Sequence, residues 1–428
     1  MTIRFAESGG QYHASNVTGP GVWRSVGGAG IGVTGAIARN GSQWAYGWNG
    51  SFGTPLLSAT GFSGMICGYA AIWQSIFAGT LIGYLDVAGN NQCDLRMNAS
   101  GQLYFTRNGT QIGGFSTSTI TSGAWHYYEF KALFATTATG TCEVYVDGAL
   151  FLTVTGVQNA TTTAVGAQVV FYTLNQTNNA AMDFYVLDTG TGLETTYLGD
   201  VTVAEIYDNG PGVNAAWAVA QPSFVLSAAA AASGGATTYT GTITNGASPA
   251  NAWQGFYFTV SGFTNAANNG TWLCSASTAT TITLSNAAGV AETHAGSCAF
   301  QNPVQAGIHG GVVDGYATTN VGTRPPADNQ YISDATAGDK SDFAHQTLSL
   351  TGTIAAVVHV TCARKDDAGT RQIQQTCLSS GTEEDSATIT LGSNYQYYSD
   401  VLETDPHTGV AWTAAGFNAA TFGVKEIT

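Results

Sequence analysis

Helical periodicity is nearly absent from this chain. Short apolar or alternating runs take its place, recurring roughly every ten residues between Gly, Asn, Asp and Thr, the pattern of sandwich or barrel strands. Clear cases are 102–106, Trp125 to Phe130, Cys142 to Val146 and Val169 to Leu174. Asn108-Gly109 and Asp147-Gly148 each lie between two such runs and predict tight hairpin turns. The uncharged stretch Gly64 to Leu85 is long enough for a membrane span, but Gly64, Gly68, Gly79 and Gly83 punctuate it, and Gln74, Ser75 and Thr80 sit inside it. It is read as two buried strands, with no membrane span.

At 428 residues the chain is long enough for two or three domains. Only 9% of the residues are charged and 55 are Gly, so hydroxyls and amides must keep the surface soluble. That palette suits β proteins that work outside cells or in assembled particles. The formal net charge of −15 repels phosphate backbones and anionic lipid, which argues against nucleic-acid partners. A composition shift divides the chain: from Gln221 to Phe300 there is no Lys or Arg, and Glu292 is the only acid. The expected organisation is a first domain over 1–215, a small β module over 221–303 and a C-terminal β-sandwich over 304–428. Seven Cys occur without a C-x-x-C pair, which gives no support to a zinc or redox site. Two pairs, Cys274 with Cys298 and Cys362 with Cys377, are candidates to face each other across neighbouring strands; the others are read as small buried hydrophobes.

Several segments resemble a known fold. Gly123-Ala124-Trp125-His126-Tyr127-Tyr128-Glu129-Phe130, followed by Gly140-Thr141-Cys142-Glu143-Val144-Tyr145-Val146-Asp147-Gly148, is similar to the paired strands of the laminin-G-like, concanavalin A-like jelly roll. Asp183 to Asp188 with Leu198 to Val201 resembles the closing segment of versions of this fold in bacteriophage virions. Tyr331-Ile332, Ala363 to Gly369 and Ala411-Trp412-Thr413 resemble the tail end of such phage proteins, and Tyr239 to Thr242 with Phe263 to Gly270 resembles small Ig-like repeats. The resemblance implies an all-β chain: a jelly-roll sandwich, an inserted Ig-like module and a C-terminal sandwich. It further implies a non-enzymatic virion structural protein, such as a capsid decoration, head fibre or tail component. Such a protein would assemble in the host cytoplasm, be exposed on the particle, contact other virion proteins as a homo-oligomer and attach to host surface glycans. Met1 to Glu7, which lacks the apolar run of a secretory signal, is consistent with that expectation. The alternatives are a secreted or cell-surface lectin or adhesin, and a glycan depolymerase.

The sequence offers few catalytic constellations. Glu383-Glu384-Asp385 reads as a solvated turn, and in Glu403-Thr404-Asp405 the following Pro406 breaks the strand. Neither resembles the E-x-D-x-x-E strand of laminarinases. No nucleophile elbow occurs, and the seven His show no metal-ligand spacing. His126 is expected to pack or cap within its own strand. The laminin-G-like resemblance implies calcium as the one metal to consider, with Asp183, Asp188 and Asp200 as ligands; the alternative is that Asp183 and Asp188 bond their own turns. Exposed aromatic faces stack on sugars. Trp44, Tyr46 and Trp48 alternate on one strand, and Tyr395 and Tyr397 repeat the pattern. These five are the candidate glycan or partner surface, with core packing as the alternative.

Overall fold

The structure is a computed structural model, described for residues 2–7, 25–27, 31–34, 45–48, 50–173, 179–190, 196–204, 206, 208–215, 218–219, 223–245, 253–254, 257–300, 332–333, 336–349, 352–365, 368–394 and 396–428. It is all-β; the α-helix among the described residues is the short Ala414–Ala419.

Residues up to Asp188 form two sheets. Numbering strands along the chain, the first sheet runs β13 (Ala149–Val157), β12 (Gly140–Val146), β11 (Trp125–Leu133), β6 (Gly64–Ile72), β15 (Ala180–Asp188), β4 (Ala45–Trp48) and β3 (Ile31–Thr34), with β1 (Thr2–Glu7) also pairing with β15. The second runs β10 (Thr110–Ile112), β9 (Leu103–Arg107), β8 (Asn91–Met97), β7 (Gly79–Leu85), β14 (Gln168–Thr173), β5 (Gly50–Gly53) and β2 (Ser25–Gly27). The uncharged stretch Gly64 to Leu85 thus supplies one strand to each sheet. No helix among the described residues is long and apolar enough to cross a membrane. Both expected hairpins form: Asn108 and Gly109 have φ of 46° and 80°, and Asp147 and Gly148 have φ of 51° and 77°. Positive φ at both central positions matches the right-handed twist of the flanking strands, and Asn or Asp followed by Gly adopts it at little cost.

The two sheets share one core. Cys67, Tyr69 and Phe130 from the first meet Tyr84, Leu95 and Phe171 from the second, all fully buried. Each such side chain contributes about 1.5–3 kcal/mol by leaving water. Polar atoms carried in by the aromatics are matched: Trp73 Nε1 donates to Tyr128 Oη at 2.8 Å, and Tyr84 Oη donates to Phe130 O at 2.5 Å. In the Trp125–Leu133 strand, Tyr128 and Phe130 face this core, while Tyr127 and Glu129 face the other way.

That other face of the first sheet is taken up by packing. Ile66, Ala70, Tyr127 and Tyr185 lie under Leu198, Val201, Ala355, Ala356 and Val401. Glu129 accepts hydrogen bonds from Tyr185 Oη and from Gly199 N (2.8 Å), pinning residues 197–203 across the sheet. Its buried position pushes its carboxyl up from the ordinary range. The Ile3 N–H donates to Glu403 Oε1 at 2.7 Å, tying the C-terminal region to the same side.

The module between is a closed barrel. Ser223–Ala229, Thr237–Asn245, Thr281–Leu284, Gly270–Ser277, Tyr257–Ser261 and Glu292–Phe300 pair in a ring around Phe224, Tyr239, Trp253 and Phe258. Six strands that all find two neighbours remove the free edges an Ig-like pair of open sheets would leave, so the expected Ig-like arrangement is replaced by closure. Asp208–Ala215, placed with the first domain on sequence, pairs instead with Lys340–His345 in a C-terminal sheet that continues through Thr421–Glu426, Gln372–Ser379 and Thr382–Asp385. Asp342 explains this placement: its carboxylate accepts from Asn214 N at 2.5 Å and from Thr421 Oγ1 at 2.8 Å. A two-stranded sheet, Val357–Ala363 with Gln396–Leu402, accompanies it. Leu402 and Val357 share a cluster with Cys377, Trp412 and Phe422.

Candidate functional site

The outer face of the second sheet differs in chemistry from the first. On β8, Cys93, Leu95 and Met97 point into the core, so Asp94 and Arg96 point outward. On β14, Val169 and Phe171 point inward, which leaves Gln168, Val170 and Tyr172 outward. Gly83 sits between them, opposite Asp94 on one side and Val170 on the other. Strict alternation would turn Asn91 into the core. A register shift between Gly83 and Leu85 sets Asn91 opposite Leu85 and swings it onto the outer face. Re-aiming a side chain is what a β-bulge does beside a site.

The result is a polar recess floored by glycine. A Cβ on Gly83 would lie 2.7 Å from Asp94 Oδ1, 3.6 Å from Tyr172 Cε2 and 3.7 Å from Asn91 Nδ2. Asp94 therefore lies across a position that only glycine leaves open. It accepts hydrogen bonds from Asn91 Nδ2 at 2.5 Å and from Thr106 Oγ1 at 3.2 Å. Burial pushes its carboxyl above the ordinary range, against the opposing pull of those bonds and of the Arg96 charge. Burial likewise raises the Tyr172 phenol, and the neighbouring Asp94 charge adds to it, so at neutral pH Tyr172 is a proton donor. Beyond Arg96, its cross-strand neighbour Tyr104 packs edge-on against Phe115, whose ring is 46% exposed.

Three buried polar atoms around this recess have no hydrogen-bond partner among the described residues: Arg96 Nε, Asn91 Oδ1 and Gln168 Nε2. Each costs about 1–3 kcal/mol when left unsatisfied in a native fold. Three on one face, two of them donors and one an acceptor, form a set that external hydroxyls would complete, with a carboxylate able to meet the two donors.

The residues expected on sequence are not brought together. Asp183 is buried with φ of 56°, and its Oδ1 accepts from Val203 N at 3.0 Å. Asp188 is buried; its Oδ2 accepts from Arg4 Nε at 2.6 Å and its Oδ1 from Gly190 N at 2.6 Å. Asp200 is exposed, beside Glu129. The first two thus hold backbone and Arg4 rather than converging on an ion, and among the described residues no group of three His, Cys, Asp or Glu is placed to hold a metal. Tyr397 packs against the core of the first two sheets, which is the core-packing alternative rather than a display surface. Tyr46 and Trp48 lie on β4, paired with β3 and β15. Trp44 and Tyr395 lie outside the described residues. His126 caps its strand as expected: Nδ1 bonds Asp147 Oδ2 at 2.7 Å, and Nε2 bonds Thr121 Oγ1 at 2.9 Å. Asp147 Oδ1 also accepts from Tyr127 N at 2.8 Å, so the group staples the hairpin to its neighbour. Glu383 and Asp385 are ion-paired with Lys340 and Lys425.

No protein-family model and no curated protein sequence matches the chain. Similar solved structures include an endo-β-1,4-glucuronan lyase from the fungus Trichoderma reesei, 14% identical with a TM-score of 0.32, covering 43% of this chain and 95% of that one. The PL-14 alginate lyase from Aplysia kurodai is 13% identical with a TM-score of 0.33, covering 44% of this chain and 100% of that one. A Trypanosoma rangeli sialidase is 13% identical with a TM-score of 0.28, covering 42% and 30% respectively. These are glycan-degrading enzymes. The expectation of a non-enzymatic bacteriophage virion component is corrected accordingly, as is the expectation that the chain is no enzyme. Likeness of this degree assigns no residue a role, so the activity of this chain is argued from its own side chains.

Proposed function

We propose that this protein recognises a glycan at the recess on the outer face of its second β-sheet. The observation that carries this reading is that Arg96 Nε, Asn91 Oδ1 and Gln168 Nε2, all carried by the outer face of the second sheet, are buried without partners, with Asn91 beside Gly83. A sugar presents hydroxyls that both donate and accept, and a uronate adds a carboxylate that pairs with a guanidinium. Few placed polar groups beside an aromatic rim is the usual make-up of a small-ligand site, and Tyr104 with Phe115 supplies that rim. The Arg96 guanidinium favours acidic glycans in particular, because it can pair with a uronate carboxylate at short range, against the long-range repulsion of a chain of net charge −15.

The test is titration calorimetry with neutral and uronate-bearing oligosaccharides, on the wild type and on Arg96→Ala. Binding that weakens at least tenfold in the variant, with an unchanged melting temperature, supports the reading. Equal affinity in both proteins refutes it.

Glycan cleavage at the same recess is a second reading, favoured by the Asp94 carboxyl of raised pKa beside the protonated Tyr172 phenol. Such groups can hold and deliver a proton at a reacting oxygen. Chain-length analysis of a polysaccharide incubated with wild type and with Asp94→Asn decides it: shortening that only the wild type produces supports cleavage, and no shortening leaves recognition alone.

A further inference from the structure

Among the described residues, Phe115 and Tyr257 are the aromatic side chains left exposed, at 46% and 49%. Tyr257 belongs to the barrel, opposite Leu273. Phe115 follows β10 at the edge of the second sheet, and the loop that carries it is tied down. The next residue, Ser116, is buried. Its N–H donates to Leu103 O at 2.8 Å, and its Oγ accepts from Leu103 N at 2.9 Å and donates to Ser118 O at 2.7 Å. Gln102 Nε2 donates to Ser116 O at 3.0 Å, and Ile120 N to Gly101 O at 2.8 Å. At the other end, Gly113 has φ of 73°, and a Cβ there would lie 2.5 Å from Val154 Cγ2, so glycine lets the loop close onto β13. A loop fixed at both ends keeps the Phe115 ring in water, against the tendency of a large apolar group to bury. The ring it packs against is Tyr104, with centroids 5.2 Å apart and planes at 65°. Leu103 and Phe105 enter the core, so Tyr104 stands on the outer face, opposite Arg96.

We infer that Tyr104 and Phe115 form a second sugar subsite, so that the ligand of the recess is a linear oligosaccharide running across the strands rather than a single sugar. This rests on the glycan recognition proposed for the recess and adds to it the length and course of the ligand. Gly83 pairs with Asp94, and Arg96, two residues further along β8, pairs with Tyr104. Gly83 and Tyr104 are thus two strand spacings apart across the sheet and two residues apart along it. That separation is roughly 12 Å, more than one pyranose ring covers. Arg96 lies on the strand between them, where it would meet the carboxylate of an intervening uronate. The C–H face of a sugar ring packs on an aromatic ring while the hydroxyls at its edge stay in water. The Phe115 loop is already ordered, so stacking there costs no loop entropy. Its contribution reaches only chains long enough to extend from the recess to the loop.

The experiment measures affinity of the full chain for galacturonate, glucuronate and mannuronate, each as the monosaccharide and as a linear hexasaccharide. Titration calorimetry, with displacement for the weaker ligands, is run on wild type, Phe115→Ala and Phe115→Trp. For the uronate that binds, the wild type should hold the hexasaccharide at least tenfold more tightly than the monosaccharide. Phe115→Ala should leave monosaccharide affinity and melting temperature unchanged and weaken hexasaccharide binding about 3- to 10-fold. Phe115→Trp should restore the lost affinity. A ratio of hexasaccharide to monosaccharide affinity that is the same in wild type and Phe115→Ala overturns the subsite and leaves recognition at the recess standing. A wild type that binds none of these ligands overturns both.

Discussion

Replacing Gly83 with alanine puts one methyl group into the floor of the recess, and its effects follow from three distances. The added Cβ meets Asp94 Oδ1 at 2.7 Å, well inside ordinary carbon–oxygen contact, while Tyr172 and Asn91 at 3.6 and 3.7 Å are not crowded. The Asp94 carboxylate must therefore shift by roughly 1 Å, the gap to normal packing. Its 2.5 Å bond from Asn91 Nδ2 then stretches beyond hydrogen-bonding range. A hydrogen bond to a charged group contributes about 1.5–3 kcal/mol. Replacing glycine inside a strand returns about 0.5–1 kcal/mol. The net loss is about 1–2 kcal/mol, or a fall of roughly 2–8 °C in melting temperature for the sandwich. Binding suffers more, because the displaced Asp94 carboxylate intrudes on ligand space and Asn91 loses the partner that orients it. A misfit of one methylene costs about 1–3 kcal/mol, so affinity should drop about 10- to 200-fold. Scanning calorimetry and titration calorimetry on one preparation read both effects. A variant that melts lower yet binds glycan as tightly as wild type would refute placing the ligand over Gly83.

His126→Ala removes the link between Asp147 and Thr121 and should lower stability by about 1–2 kcal/mol in urea unfolding without altering glycan affinity. His359 packs edge-on to Phe422, and burial pushes its imidazole down to about 4 from the ordinary 6.5. The folded state thus holds it neutral, so its stabilisation is complete above pH 6.5 and is lost as pH falls from 6.5 towards 4. Stability measured across that window should fall by roughly 1–3 kcal/mol in the wild type and less in His359→Gln. Asp94 has the opposite sign, since its folded-state pKa is raised: its contribution is largest at low pH and declines as pH rises through the folded value. Asp94→Asn should therefore be more stable relative to wild type at pH 7 than at acidic pH, as read by melting temperature.

The architecture was legible where local chemistry is strong. Asn108-Gly109 and Asp147-Gly148 specify their turns by backbone geometry alone, and the alternation through Trp125 to Phe130 specifies which side chains enter the core. The Ig-like expectation for the middle module failed because closure into a barrel depends on strand pairings distant in sequence, such as Phe224 with Cys298. The strand 208–215 was misplaced for the same reason: Asp342 that captures it lies 128 residues from Asn214. The candidate site was legible only in part. Asp94 and Arg96 are charged residues at alternate positions of a strand in a chain with 9% charge, a signal available in the sequence. Asn91 was not readable, because a bulge turns it outward against the alternation. The acids singled out for calcium, Asp183 and Asp188, gave no hint that one holds Val203 and the other Arg4.

A crystal structure of the protein with a bound uronate-bearing oligosaccharide tests the central claim most directly. The account predicts a sugar ring over Gly83, with its oxygens within hydrogen-bonding distance of Arg96 Nε, Asn91 Oδ1 and Gln168 Nε2. A sugar seated on the barrel or the C-terminal sheets, with those three atoms untouched, would contradict it.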